Sequence, residues 1–277
     1  MLRKTYAILL TSFLALVIWN CSDSPAGPDL SNAPDAPTIE NVEMDFSVFE
    51  QAENYESSQM KSLSEFSSKW QHRLESTDSS AYEQAALFAF YADFWFQQMG
   101  HLPATFFNEN NWGDPDLEGD TWIWEWHFAA QGESITMTVT AETVDNERHW
   151  ELRYSTEGTE SDLDNALLIA SRIRLDGTGG NWELYDFHVE DPVFVVEYEF
   201  DGNITTRVDM RFDDEEEGRF LYQRDDSIST LQMWDVFSTG LMTIEWNNDN
   251  GTGSVQSPDY RDGEKVCWNE DFQDTEC

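Results

Sequence analysis

From Thr121 to Trp246 the chain alternates in character, and this period of two is what most limits its fold. Trp122, Trp124, Trp126 and Phe128 occupy every second position against Ile123, Glu125 and His127. The same rhythm returns at Ile135–Thr143 and at Trp150, Leu152 and Tyr154. With less polar partners it recurs at Leu168–Leu175, Trp182–Phe187, Val193–Phe200, Val208–Phe212, Phe220–Tyr222, Leu231–Phe237 and Leu241–Trp246. Successive side chains of a strand point to opposite faces, so each segment reads as a strand with one apolar face. Asp176-Gly177, Asp201-Gly202 and Asn250-Gly251 are hairpin turn signals. Roughly ten short strands with no helical pattern between them predict an antiparallel meander, and a sheet that long tends to curl.

Upstream the period lengthens. Met60, Leu63, Phe66, Trp70 and Leu74 recur at intervals of three and four, predicting a helix from about 54 to 75 with one apolar stripe. A second helix is expected after the cap candidates Asp78 to Ser80, with Gly100 placed to end it. Ala81, Ala85, Ala89 and Ala92 give this helix a stripe of small residues, expected to meet the first helix. Leu87, Phe88, Phe90, Tyr91, Phe94, Trp95 and Phe96 cover most of the remainder and are expected to enter the main core. A helix apolar around most of its circumference must be covered on several sides. The fold class is therefore α+β, mostly β: a long curved antiparallel meander, an open sheet or partial barrel, packed on two N-terminal helices. Helices at about 54–100 and strands at about 121–268 would share a single domain, residues 41–277.

The N-terminus has a different logic. Arg3 and Lys4 precede an apolar run from Ala7 to Trp19, and Cys21 follows after Asn20. The run is too short for a hydrocarbon core that needs about twenty residues, and it reads as an export signal. Residues 1–21, with Ile18 three positions before Cys21, resemble a bacterial lipoprotein signal. That resemblance implies that residues 1–20 are a signal peptide and that Cys21 becomes the first mature residue. It also implies a diacylglycerol on the sulfur, palmitate or a similar chain on the amine, and anchorage in the bacterial cell envelope, at the outer membrane. Cleavage after Ala26, or retention of the apolar run as an uncleaved anchor, are the alternatives. Residues 21–40, with Pro25, Pro28, Pro34 and Pro37, read as a disordered tether. It would reach about 25 Å at 5–6 Å per square root of residue number.

The full chain holds 15 basic against 55 acidic residues, a formal charge of −40, and loss of residues 1–20 removes only Arg3 and Lys4. Such a surface repels polyphosphate, which argues against nucleic-acid binding. It also repels anionic headgroups, so that a covalent lipid would carry the attachment to the bilayer. A solvating shell for salty, halophilic surroundings is the simplest reading of the acidity, and a cation-gathering surface the alternative. Of three cysteines, Cys21 is assigned to lipid, leaving Cys267 and Cys277 as a pair that an oxidising periplasm or cell surface permits to form a disulfide.

Among candidates for chemistry, Asp114, Asp116, Glu118, Gly119, Asp120 and Glu125 have the best spacing. Over these twelve residues the chain resembles the calcium loop of the EF-hand family. Oxygen ligands fall on alternate residues, a glycine stands at the sharp turn and a carboxylate closes the set. Calcium is thus the one cofactor the spacing allows, against the reading of an acidic turn before a strand. His127 and His149 share the parity of Glu125, Glu151 and Arg153. One strand is expected between theirs, which separates the imidazoles by about 10 Å, too far for one metal. No nucleophile elbow, phosphate-binding loop or zinc-protease helix occurs. Paired carboxylates carry no information in so acidic a chain. A non-catalytic binding role is the leading expectation, with an apolar ligand facing Trp122, Trp124 and Trp126. An assembly partner of an outer-membrane complex and a carboxylate-dependent hydrolase are the alternatives.

Overall fold

The computed structural model describes residues 33–37, 42–52, 79–107, 114–130, 133–158, 162–187, 189–212, 218–234 and 240–277. The signal, Cys21, most of the 21–40 tether and the helix expected at 54–75 lie outside them. Ala33–Cys277 form one compact unit.

The protein is mostly β. Among the described residues fourteen strands form one antiparallel open sheet in strict sequence order. They are β1 (Asp116–Glu118), β2 (Thr121–Ala130), β3 (Glu133–Val144), β4 (Glu147–Glu157), β5 (Leu163–Arg174), β6 (Gly179–Tyr185) and β7 (Pro192–Asp201). β8 (Ile204–Phe212), β9 (Arg219–Asp225), β10 (Ile228–Trp234), β11 (Leu241–Asn247), β12 (Gly253–Gln256), β13 (Val266–Trp268) and β14 (Asp274–Thr275) complete it. The ten alternating segments correspond to β2–β11, while the four short outer strands carry too few residues to show a period.

Register puts the large apolar side chains on one face. Trp124 pairs with Val139, Val139 with Leu152 and Leu152 with Ile169. Further along, Trp182 pairs with Val196, Val196 with Met210 and Met210 with Phe220. A slip of one residue would turn each set outward, so burial of this face fixes the register. The turns agree with it. Asp145 and Asn146, at φ 49° and 67°, make the two-residue link from β3 to β4. Left-handed backbone at both positions matches the twist of the flanking strands, and short polar residues tolerate it.

One helix, α1 (Ala81–Phe106), lies on this face. Its start is a capping box: the Glu83 amide donates to Ser80 Oγ at 3.3 Å and the Ser80 amide to Glu83 Oε2 at 3.0 Å. The Ala81 amide donates to Asp274 Oδ1 of β14 at 2.8 Å. Ala81, Ala85, Ala89 and Ala92 are wholly buried, as are Phe88, Phe90 and Phe96 nearly so, while Glu83 and Gln97 stay exposed. The helix does not stop at Gly100. A glycine inside a helix costs about 1 kcal/mol, less than the burial of one aromatic ring yields. Continuing to Phe106 delivers Phe107, 1% exposed, against Trp150 at 5.8 Å and Trp182 at 5.3 Å between ring centroids.

The ring contacts show how α1 runs. Tyr82 meets Trp268 of β13, Tyr91 meets Phe220 of β9, Trp95 meets Phe212 of β8, and Phe107 meets Trp182 of β6 and Trp150 of β4. The helix therefore crosses the strands instead of following them. Nine strand spacings from β4 to β13 span about 43 Å, and 26 helical residues about 39 Å. One helix is just long enough to cover the apolar face from β13 to β4. Its ring contacts end there, although Ile135, Met137, Val139 and Ala141 of β3 are buried as well.

The C-terminal residues lock the helix start. Cys267 and Cys277 are joined, with Cα atoms 5.1 Å apart. Tyr82 stacks on Phe272 at 4.2 Å, and Trp268 donates its indole N–H to the Gly251 carbonyl at 2.6 Å. Gly253 permits this: a Cβ there would collide with the Trp268 ring and the Glu245 carbonyl. No helix among the described residues is long and apolar enough to cross a membrane.

Candidate functional site

Beyond the end of α1 the aromatic side chains continue. Trp122, Trp124, Trp126 and Phe128 alternate onto the apolar face, opposite Ala141, Val139, Met137 and Ile135 of β3. Trp124, nearest the Phe107 end of the helix, is 5% exposed and stacks on Trp150 at 5.6 Å. Trp122, Trp126 and Phe128 are only partly covered. On the same face Tyr154 stacks on the half-buried Phe187 at 5.3 Å. This is a strip of rings along β2 in which a sealed Trp124 lies between the partly covered Trp122 and Trp126. Such a surface offers dispersion and desolvation energy to an apolar ligand. It unites the three tryptophans singled out in the sequence, but distinguishes Trp124, a core residue, from Trp122 and Trp126.

The acidic run takes the form of a hairpin. Asp116 and Glu118 lie on β1, Gly119 and Asp120 form its turn with Gly119 at φ 65°, and Glu125 lies in β2. Asp116 pairs with Ile123 and Glu118 with Thr121, so Asp116, Glu118 and Glu125 share a face. Along it Glu118 stands about 13 Å from Glu125, at 3.3–3.4 Å per residue. A calcium ion gathers its oxygens within 2.3–2.6 Å, which a wrapped loop allows and this straight hairpin does not. Among the described residues no group of three or more His, Cys, Asp and Glu could hold a metal ion.

The histidines stay apart. His127 is level with Thr136 and Ser155, whereas His149 pairs with Glu142, six residues further along β4. The imidazoles are therefore separated by about 20 Å along the strands as well as by two strand spacings. Each has local partners: His127 Nε2 meets Glu125 Oε1 at 3.1 Å and its Nδ1 meets Thr136 Oγ1 at 2.8 Å, while His149 Nε2 lies 3.4 Å from Glu147 Oε2.

The opposite face holds a feature that motif reading passed over. Arg207, Asp209 and Arg211 alternate on β8, facing Glu197 and Glu199 on β7 and Arg219 on β9. Asp209 is 1% exposed. Arg219 grips both its oxygens through Nε and Nη2 at 2.9 and 2.7 Å, and Arg207 Nη2 adds a third bond at 2.7 Å. Arg211 pairs with Glu197. Arg219 also lies 5.0 Å over the Trp234 ring. A buried carboxylate needs this degree of satisfaction, and forked Arg geometry supplies it. With so few basic residues in the chain, arginines alternating at 207, 211 and across at 219 were the available signal. On this face Tyr185 donates to Glu183 Oε2 at 2.6 Å, and burial, with that carboxylate beside it, pushes the phenol well above its usual range.

A shallow open depression of about 470 Å³ lies elsewhere, lined by Leu241, Thr243, Gln256, Pro258, Asp262 and Gly263. It shares no residue with the aromatic strip. No protein-family model matches the chain, and neither a curated protein nor a solved structure matches it.

Proposed function

We propose that the chain is a lipid-tethered protein of the bacterial envelope, anchored at the outer membrane through an acylated Cys21, and that its domain binds an apolar ligand without catalysis. The observation that carries the binding role is the mismatch between helix and sheet. The last ring contacts from the α1 end reach β4, the apolar side chains of β3 are still buried, and on β2 Trp122, Trp126 and Phe128 are left half-open. Rings left half in water gain when an acyl or similar chain covers them, on the order of 25 cal/mol per Å² of apolar surface buried. Support for the tether is the order Arg3-Lys4, apolar run, Cys21, and the acidic surface that would otherwise be repelled from anionic lipid.

Native mass spectrometry of protein purified from its own membranes tests both parts. A mass increment of diacylglycerol plus acyl chain on the fragment beginning at Cys21 is expected, together with a non-covalent apolar adduct. The adduct is expected to diminish in a Trp122→Ala/Trp126→Ala variant. An unmodified Cys21, or a Cys21→Ser protein that fractionates like wild type, removes the tether. A double variant that keeps its adduct in full removes the binding role.

A further inference from the structure

Seven large aliphatic side chains are exposed among the described residues, and five of them lie on one rim of the sheet. Leu117, Val144, Leu175, Ile204 and Ile228, each 38–52% exposed, stand at the hairpins β1–β2, β3–β4, β5–β6, β7–β8 and β9–β10. In three of these hairpins the arrangement repeats. The pair that closes a two-residue turn sets an aliphatic residue against a carboxylate: Val144 opposite Glu147, Ile204 opposite Asp201, and Ile228 opposite Asp225. The tips add exposed Asp120, Asp145, Asp176 and Asp226.

Backbone bonds tie several neighbouring turns of the rim together. The Leu175 amide donates to the Asn146 carbonyl at 3.0 Å, joining the second turn to the third. The Phe200 amide donates to Thr178 at 3.0 Å, and the Asn248 amide to Ser227 at 2.7 Å. From Val144 on β3 to Ile228 on β10 is seven strand spacings, about 34 Å. Single exposed aliphatics are ordinary on any protein. A row of them, one per hairpin and each beside an acid, is a pattern. Strand propensity alone does not require it, since threonine serves that need at an exposed position.

We propose that this rim docks a protein surface in which basic and apolar side chains alternate. The carboxylates select the charge. A second copy of this chain would set acid against acid, and an anionic bilayer would meet the same repulsion. A basic partner instead gains at each tip while its apolar side chains cover Leu175, Ile204 and Ile228. This assignment is independent of the lipid tether, and Leu175, Ile204 and Ile228, on which it is tested, lie on or next to strands that carry no ring of the aromatic strip.

The test uses the full chain at 150 mM NaCl with two fluorescent probes of equal charge, an alternating Lys-Leu peptide and an oligolysine, read by anisotropy. A Leu175→Ser/Ile204→Ser/Ile228→Ser variant is compared with a Val189→Ser/Leu241→Ser control, which alters the exposed aliphatics of the opposite rim. Far-UV circular dichroism verifies folding, and Leu175→Ser alone replaces the triple variant should that one not fold. The expected result is a loss of about tenfold or more in Lys-Leu affinity for the triple variant, about 1.4 kcal/mol per factor of ten, with oligolysine unchanged. Leu175→Ser alone should lose about a third of that free energy, and the control none. Equal Lys-Leu binding by wild type and the rim variant overturns the proposal, as does an equal loss in the control. Sedimentation with phosphatidylcholine vesicles that the triple variant abolishes, with peptide affinity intact, assigns the rim to a membrane instead.

Discussion

Asp274 carries more of the fold than a residue in a two-residue terminal strand would suggest. Its Oδ1 accepts the Ala81 amide at 2.8 Å, satisfying one of the four backbone donors left open at the start of α1. Its Oδ2 pairs with Arg261. Asp274→Ala removes both contacts. The capping box of Ser80 and Glu83 remains, so the helix loses one donor's partner, about 1 kcal/mol. The ion pair is partly solvent-screened, with the two side chains 38% and 31% exposed, and adds about 0.3 kcal/mol. At about 2–4 °C per kcal/mol for a domain of this size, the expected fall in Tm is roughly 3–5 °C. Asp274→Asn keeps an acceptor for the amide and should lose about 1 °C. Differential scanning calorimetry of the two variants beside wild type decides, with amide hydrogen exchange at Ala81 as the local reporter. An Asp274→Ala protein within 1 °C of wild type would falsify the assignment of this contact as a helix cap. An Asn variant as damaged as the Ala variant would move the whole effect to the charge.

Other consequences can be checked alongside. Cys277→Ser opens the loop to Cys267 and is expected to cost about 3 kcal/mol in the chain-entropy model. Because the same change frees the segment holding Asp274, adding Asp274→Ala to it should cost much less than in the oxidised protein; full additivity by calorimetry would show that the two are not coupled. Burial raises the Asp93 carboxyl above its usual 3.8, a hydrogen bond from Gln97 only partly offsetting it and Glu43 adding to the rise. The folded state therefore resists ionisation of Asp93. Asp93→Asn should raise Tm at pH 7, and the gain should vanish once pH falls below about 4 and the acid is protonated in both states. Asp45 is the opposite case: burial lifts its carboxyl, but bonds from Ser47 and the Arg224 guanidinium outweigh that and hold it below 3.8. Its contribution is present above the unfolded value and lost as pH falls through the lower folded one. Asp45→Asn should thus cost up to about 1 kcal/mol at pH 7 and nothing near pH 2, read from urea midpoints. A cost that persists at pH 2 would show that packing, not charge, is at stake.

Strands β2–β11 were legible in the sequence because 7–12 alternating residues display a period. Strands β1, β12, β13 and β14, with 3, 4, 3 and 2 residues, cannot display one. They exist because β2 and β11 offer free edges and the tail is clamped to Lys265–Trp268 through Cys267. The continuation of α1 past Gly100 is hidden from the sequence for a related reason. What carries the helix past it is Phe107 finding Trp150 and Trp182, residues 43 and 75 positions away in the numbering, which no local rule can register. The alternation of Trp122, Trp124 and Trp126 disclosed their shared face, but not that Trp124 alone is sealed. That depends on its stacking with Trp150 two strands away, a contact that alternation does not encode. The acidic spacing from Asp114 to Glu125 suggested a wrapped loop because spacing is blind to backbone path, and the hairpin pairs of β1 with β2 pull the same carboxylates into a line.

Charge in this chain is sorted by position, and the sorting links the fold to its surfaces. Arg153, Arg172, Arg174, Arg207, Arg211 and Arg219 all belong to the central strands β4–β9, on the face away from α1. There strands are 4.7–4.9 Å apart, and uncompensated carboxylates at that spacing would repel across every pair. Arginines are spent where crowding makes neutralisation necessary, down to the buried Asp209. The turns, surrounded by water, receive almost none and keep their aspartates. A uniform acidic coat for salty surroundings would need no such division. Neutral strands between acid-tipped, aliphatic-studded hairpins leave most of the chain's unbalanced charge at the rims, where salt screens it best and where a basic partner would find it.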